Sequence, residues 1–151
     1  MLTVYRFAHH LYATDILGTG AKLYGGRWNN IGQPALYTSY TISLALVELF
    51  IHQPSYLSIK HNQLVEINIQ SKDIHKVDVQ KLKQGWKDDM EYCQFIGSQF
   101  LEHKDLLALQ VPSAIIETEY NLVLNPMNKF FSKIVQINQI KNFQFDSRLF
   151  K

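Results

Sequence analysis

The stretch PALYTSYTISLALVELFIH, residues 34–52, decides how the rest of the chain is read. Pro34 to Thr38 is short and β-prone and predicts a strand. Ser39-Tyr40-Thr41 then supplies hydroxyls where a helix N-terminus needs acceptors for its unpaired N–H groups, which predicts a helix from about Ile42 to His52. Leu44, Ala45, Leu46, Val47, Leu49, Phe50 and Ile51 leave that helix almost no polar side, so burial is expected. Gln53-Pro54-Ser55 ends it. Within this apolar run Glu48 stands out, because an unpaired carboxylate on a buried helix faces a desolvation penalty of several kcal/mol. Either it lies on a narrow exposed strip and pairs with His52 one turn on, or it is an acid aimed into a cleft. The residue pattern leaves both readings open.

Upstream, Leu2 to Ala8 is β-rich and predicts an opening strand. Leu17 to Pro34 holds five of the seven glycines (Gly18, Gly20, Gly25, Gly26 and Gly32) and predicts a long loop of the kind that carries function. Downstream, Leu64 to Ile69 alternates apolar and polar residues as a half-buried strand does, and Ile74 to Val79 is a second candidate. Asp88 followed by Glu91 has capping-box spacing, and Cys93, Ile96, Gly97 and Phe100 recur with helical period, so a second helix is expected with Cys93 as a small core residue. The last third alternates short apolar runs with turn residues: Leu106–Leu109, Val111–Ile116, Leu122–Leu124, Ile134–Ile137 and Phe143–Phe145. Strands outnumber helices and are partly segregated from them, which predicts an α+β domain with a mixed or antiparallel sheet and flanking helices.

The 151 residues suit one domain spanning 1–151, of a size that buries about 70% of its extended surface. With 46% hydrophobic and only 19% charged residues, against a typical charged fraction of about 25%, disorder is excluded. A net charge of +2 with scattered Lys and Arg gives no basic stripe, so no direct nucleic-acid ligand is expected. One cysteine cannot close an internal disulfide. No signal-peptide core and no apolar run of the roughly 20 residues that span a bilayer is present, so a soluble cytoplasmic protein without membrane contact is expected. The six histidines include no i, i+4 pair on a helix and no HExxH, so no metal site is predicted. Gly18-Thr19-Gly20 starts a dinucleotide fingerprint, but Leu23 stands where the third glycine belongs and no βαβ unit surrounds it.

A second cluster is Tyr24-Gly25-Gly26-Arg27-Trp28-Asn29-Asn30. Two glycines permit close backbone approach to a ligand, Arg27 offers a planar fork for a phosphate or carboxylate, and Trp28 can anchor the loop. An ordinary glycine turn with a solvated arginine fits the same pattern. Tyr37, read alone, is a core residue with its hydroxyl at the rim, and Ser113 in Val111-Pro112-Ser113-Ala114-Ile115 is a satisfied strand hydroxyl.

Taken together these segments resemble the RES domain, a family named for an arginine, a glutamate and a serine that serves as the toxin of toxin–antitoxin pairs. The resemblance runs nearly end to end. Tyr5-Arg6, Gly25-Gly26-Arg27-Trp28-Asn29 with Gly32, Leu36-Tyr37-Thr38, Ala45-Leu46-Val47-Glu48 with His52, Val111-Pro112-Ser113-Ala114 and Asn121 with Leu124-Asn125-Pro126 carry it, together with the tail Phe145–Leu149. One departure is Met127-Asn128-Lys129, where the family has a histidine followed by proline, and no role is assigned there.

The resemblance implies a fold similar to ADP-ribosyltransferases and degradation of NAD+ by breaking the nicotinamide–ribose bond. It implies no required cofactor, with inorganic phosphate as a candidate co-substrate alongside water. The implied partner is an Xre-type helix-turn-helix antitoxin that covers the active site, and a homodimer is compatible with the apolar composition. On this basis Arg27, Tyr37, Glu48 and Ser113 are the catalytic candidates, and Arg6, Tyr24 and Asn121 join Arg27 and Tyr37 as candidates for binding NAD+. The chemistry agrees with those residue types. Nicotinamide leaves neutral and needs no general acid, whereas the cationic ribose left behind is stabilised by a carboxylate in a low-dielectric pocket. Glu48 suits that task and can also orient the nucleophile. Arg27 suits the pyrophosphate, Tyr37 the flat nicotinamide ring, and Ser113 a ribose hydroxyl or the support of Glu48. Transfer of ADP-ribose to a protein, and a non-catalytic module that only binds its antitoxin, are the alternatives.

Overall fold

The computed structural model describes residues 1–151 and is organised on a seven-stranded sheet in the order β4-β5-β6-β2-β1-β3-β7. The elements are β1 (Leu2–His9), α1 (Thr19–Tyr24), β2 (Leu36–Ser39), α2 (Ile42–His52), α3 (Tyr56–Ile59), β3 (Asn62–Ile69), β4 (Ile74–Lys76), α4 (Met90–Leu101), β5 (Ala108–Pro112), β6 (Tyr120–Leu124), α5 (Phe131–Ile134) and β7 (Val135–Asn142). Only β4 and β5 run parallel, so the sheet is mixed and the class is α+β, as expected. No helix is long and apolar enough to cross a membrane.

The sheet is continuous in order but not in pairing. β1 pairs with β3 along its whole length, from Leu2–Ile69 to His9–Asn62, yet it meets β2 only at Tyr5–Ser39. The strands therefore diverge at a seam in the middle of the sheet, while the larger core runs across it, joining Val4 and Val65 to Leu36, Ala108, Leu122 and Leu124. Val4, Ala8, Val65, Ile67, Ile69 and Val135 belong to a larger cluster, and Trp28, Cys93, Phe100, Leu109, Val111 and Val123 to a smaller one under α4. Cys93 is a fully buried core residue, as its spacing predicts.

The cap and helix form as read, with Thr41 Oγ1 accepting the Leu44 N–H at 3.1 Å and α2 over the expected residues, while the strand expected over Pro34–Thr38 runs Leu36–Ser39 and takes in Ser39. Burial of α2 is overturned. Only Leu44 and Ala45 are buried and Ile51 is 57% exposed, because α2 lies over β1 and β2 at the seam and gives Ala45, Leu49 and Ile51 to the wall of a cleft instead of a core.

Other boundaries move for local reasons. The glycine-rich loop contains α1, entered from Gly18 and left through Gly25, both at positive φ. α4 is capped by Asp89, whose Oδ1 accepts the Tyr92 N–H at 3.0 Å; Asp88 instead closes a 3-10 turn over Trp86–Asp88. The apolar runs Leu106–Leu109 and Val111–Ile116 merge into β5, which stops at Pro112 because the ring has no N–H to continue a ladder. Ile74–Val79 shortens to β4, while Ile134–Ile137 extends into β7. Phe143–Phe145 is no strand: its two rings pack with Phe7 at 4.9–5.6 Å between centroids and close one end of the sheet.

Candidate active site

The cleft over the seam has a volume of about 570 Å³, within the roughly 300–1,000 Å³ of small-molecule sites. β1 supplies Tyr5, Arg6 and Phe7, β2 supplies Tyr37 to Ser39, and the loop after α1 supplies Gly25 to Trp28. Glu48 and His52 of α2, Gln53 directly after it and Asn121 of β6 complete the polar lining.

Glu48 is half-buried and points across the cleft, away from the pairing with His52 that helical spacing allows. Its Oε1 accepts from Ser113 Oγ at 2.8 Å and from Asn121 Nδ2 at 2.6 Å. Its Oε2 has no protein partner. Since no buried side-chain oxygen or nitrogen lacks one, Oε2 is open to the cleft. One carboxylate oxygen is thus held and the other presented.

Ser113 explains why this hydroxyl is fully buried beyond the end of β5. Its Oγ accepts the N–H groups of Ile115 and Ile116, each at 3.1 Å, while its own proton goes to Glu48. The turn fixes the rotor, so the hydroxyl can only donate toward the carboxylate. The sequence reading as a strand serine is corrected accordingly: Pro112 ends the strand and frees Ser113 to form the turn. Asn121 is oriented from behind, because Ser39 Oγ donates to its Oδ1 at 2.6 Å and leaves Nδ2 directed at Glu48. Ser39 was legible only as a candidate cap. Its place two residues from Tyr37 on a strand, hence on the same face, is the signal that could have found it.

The Arg27 loop is built around a fully buried amide, Asn29. Asn29 Nδ2 donates to the carbonyls of Ala21, Asn30 and Gln33 at 2.8–3.1 Å, and its Oδ1 accepts the Tyr37 hydroxyl proton at 2.7 Å. Tyr37 Oη in turn accepts the Trp28 N–H at 2.9 Å. Burial holds the Tyr37 phenol well above its ordinary pKa, against the opposing pull of the Trp28 N–H and Arg27, so the group is a neutral strut. Gly26 must be glycine, since a Cβ there would lie 2.7 Å from Tyr37 Oη and 2.8 Å from Asn29 Oδ1.

Arg27 reaches the cleft with its Nη1 bonded to the Lys87 carbonyl at 2.8 Å and to Cys93 Sγ at 3.8 Å, and its guanidinium over the Trp86 ring at 6.0 Å. Trp28, 2% exposed, packs on the same Trp86 and anchors the loop as expected. Arg6 is held in a similar way by one bond, Nη1 to the Asp15 carbonyl at 2.8 Å, and desolvation lowers its pKa. Both forks keep their remaining N–H groups unpaired with protein. Tyr24 is different: 83% exposed at the end of α1, it does not line the cleft. The Met127-Asn128-Lys129 turn also lies outside the cleft, where Asn125 and Asn128 cap backbone N–H groups.

Against known proteins, residues 3–146 match the RES domain family model. A protein named Toxin Res from Photorhabdus laumondii subsp. laumondii is 38% identical over 99% of this chain and 98% of its own. Another Toxin Res, from Yersinia enterocolitica, is 34% identical over 98% and 99%. A protein named Prs ADP-ribosylating toxin, from a Sphingobium species, is 30% identical over 92% of this chain and 89% of its own. The fold is similar to a chain in the crystal structure of the M. tuberculosis MbcT-MbcA toxin–antitoxin complex, with a TM-score of 0.78, 21% identity, and coverage of 95% of this chain and 84% of that one.

Proposed function

The chain belongs to the RES domain family, and from that premise we propose that it is a toxin that destroys NAD+ by breaking the bond between nicotinamide and ribose. The observation that carries this reading is Glu48, pinned through Oε1 by Ser113 and Asn121 with Oε2 open to the cleft. As the C–N bond breaks, its electron pair leaves with nicotinamide and positive charge grows on the ribose. A fixed carboxylate oxygen stabilises that charge without reorganising, which is where enzymes gain most of their rate. Water, or phosphate in its place, then attacks the ribose carbon from the face opposite the departing nicotinamide, oriented by Glu48.

The other residues take roles that follow from their positions. Arg6 and Arg27 bind the pyrophosphate through their unspent N–H groups by charge-assisted hydrogen bonds. The Tyr37 ring contacts the nicotinamide while its hydroxyl stays committed to the loop. Ser113 and Asn121 hold Glu48 and act on the substrate through it. The partner is an Xre-type antitoxin that covers the cleft, in keeping with the family resemblance, and the site of action is the cytoplasm.

A second reading shares the first step and differs in the acceptor: the name of the Sphingobium relative favours transfer of ADP-ribose to a protein. Incubating the purified chain with NAD+ and measuring free nicotinamide together with the second product tests both. Catalytic nicotinamide release with ADP-ribose signals hydrolysis and with ADP-ribose-1″-phosphate signals phosphorolysis. Release that stays stoichiometric with a mass gain on a protein supports transfer instead. Binding of NAD+ without any release reduces the chain to a non-catalytic module.

A further inference from the structure

Three of the six histidines converge outside the cleft, at the end of the sheet where β1 leaves and β3 begins. His9 is the last residue of β1, His10 follows it, and His61 immediately precedes β3. The backbones there are fixed to one another: His9 stands opposite Asn62 in the antiparallel register, and the His10 N–H donates to the His61 carbonyl at 2.9 Å. One ring nitrogen from each histidine lies within 4.8 Å of the other two. The rings of His9 and His10 stack at 4.6 Å, and that of His61 stands 5.6 and 6.2 Å from them.

We propose that His9, His10 and His61 form a binding site for one divalent transition metal ion of the imidazole-preferring class, with Zn²⁺ as its representative, that clamps the end of β1 to the start of β3. The donor set is three imidazoles and no carboxylate, which suits Zn²⁺, Cu²⁺ or Ni²⁺ and does not suit Mg²⁺ or Ca²⁺. Three nitrogens at Zn–N distances of 2.0–2.1 Å in tetrahedral array stand about 3.4 Å apart. His10 and His61 are exposed, so small side-chain rotations close the remaining gap without moving the strands. The one hydrogen bond in the way is the Leu11 N–H to His9 Nδ1 at 3.2 Å, an exposed contact that water can replace. Helical spacing rules could not show this site, because its members are joined by strand pairing.

The test uses the whole chain without a polyhistidine tag, titrated with Zn²⁺ by calorimetry and followed by thermal melting. One Zn²⁺ per chain is expected, with Tm raised by roughly 5–10 °C at a hundredfold excess over Kd and restored by chelator. The double variant His10→Ala/His61→Ala, at two exposed positions, melts like the wild type without metal and binds Zn²⁺ at least tenfold more weakly. His75→Ala/His103→Ala binds as the wild type does. No saturable binding, binding that survives loss of His10 and His61, or an equal response to Mg²⁺ would overturn the proposal.

Discussion

At Glu48 both hydrogen bonds converge on a single oxygen, and the hydroxyl that makes one of them has no freedom to do otherwise. Ser113→Ala removes that donor and leaves the N–H groups of Ile115 and Ile116 without their acceptor. It is expected to cost about 1–3 kcal/mol in stability by urea unfolding. Because Asn121 still holds Glu48, kcat for nicotinamide release falls only about tenfold, equivalent to ~1.4 kcal/mol. A wild-type kcat in Ser113→Ala would mean the hydroxyl does not support the carboxylate. Tyr37→Phe tests the strut: it keeps the ring but orphans the Trp28 N–H and Asn29 Oδ1, at about 1–3 kcal/mol. Its pH dependence has a definite sign. The folded phenol has a raised pKa, so its contribution is complete below the unfolded value near 10 and is lost as pH rises above it. The stability difference between wild type and Tyr37→Phe should therefore stay constant up to about pH 10 and shrink beyond; a difference that changes between pH 7 and 9 would contradict the assignment.

At the scale of elements, the sequence was most legible where one residue's chemistry decides a local event. Thr41 caps α2 and Asp89 caps α4 one residue later than Asp88 would, because a cap depends on backbone approach as well as on residue type. Pro112 ended a strand that hydrophobicity alone would have continued to Ile116. The apolar character of α2 predicts burial but serves the wall of a cleft, a distinction that periodicity cannot make since both environments favour the same side chains. Likewise Glu48 and Ser113, 65 positions apart, gave no spacing signal, and the family resemblance supplied what pattern could not. The least visible contact is Gly97. A Cβ there would collide with the Trp28 carbonyl, so α4 approaches the Arg27 loop as closely as a helix can. Gly97→Ala should destabilise by about 3 kcal/mol, lowering Tm by roughly 6–12 °C. An unchanged Tm would show that α4 does not seat against Trp28.

For the whole molecule, the decisive feature is the seam between β1 and β2, where a single paired position lets two half-sheets part. Each half brings its own cation, Arg6 from β1 and Arg27 from the loop before β2, while α2 spans the opening and delivers the carboxylate. Low overall charge gives these few ionic groups a local field without a general attraction to polyanions. In the proposed reaction Glu48 is the electrostatic partner of a cationic ribose, and Glu48→Gln probes this with little change in shape. The direct measurement is the rate of nicotinamide release from NAD+ by wild type and by Glu48→Gln, each verified as folded by thermal melting. Steady turnover by the wild type and a loss of about 10²–10³ or more in the variant are expected if Glu48 has this role. Equal rates, or no release by the folded wild type, would contradict it.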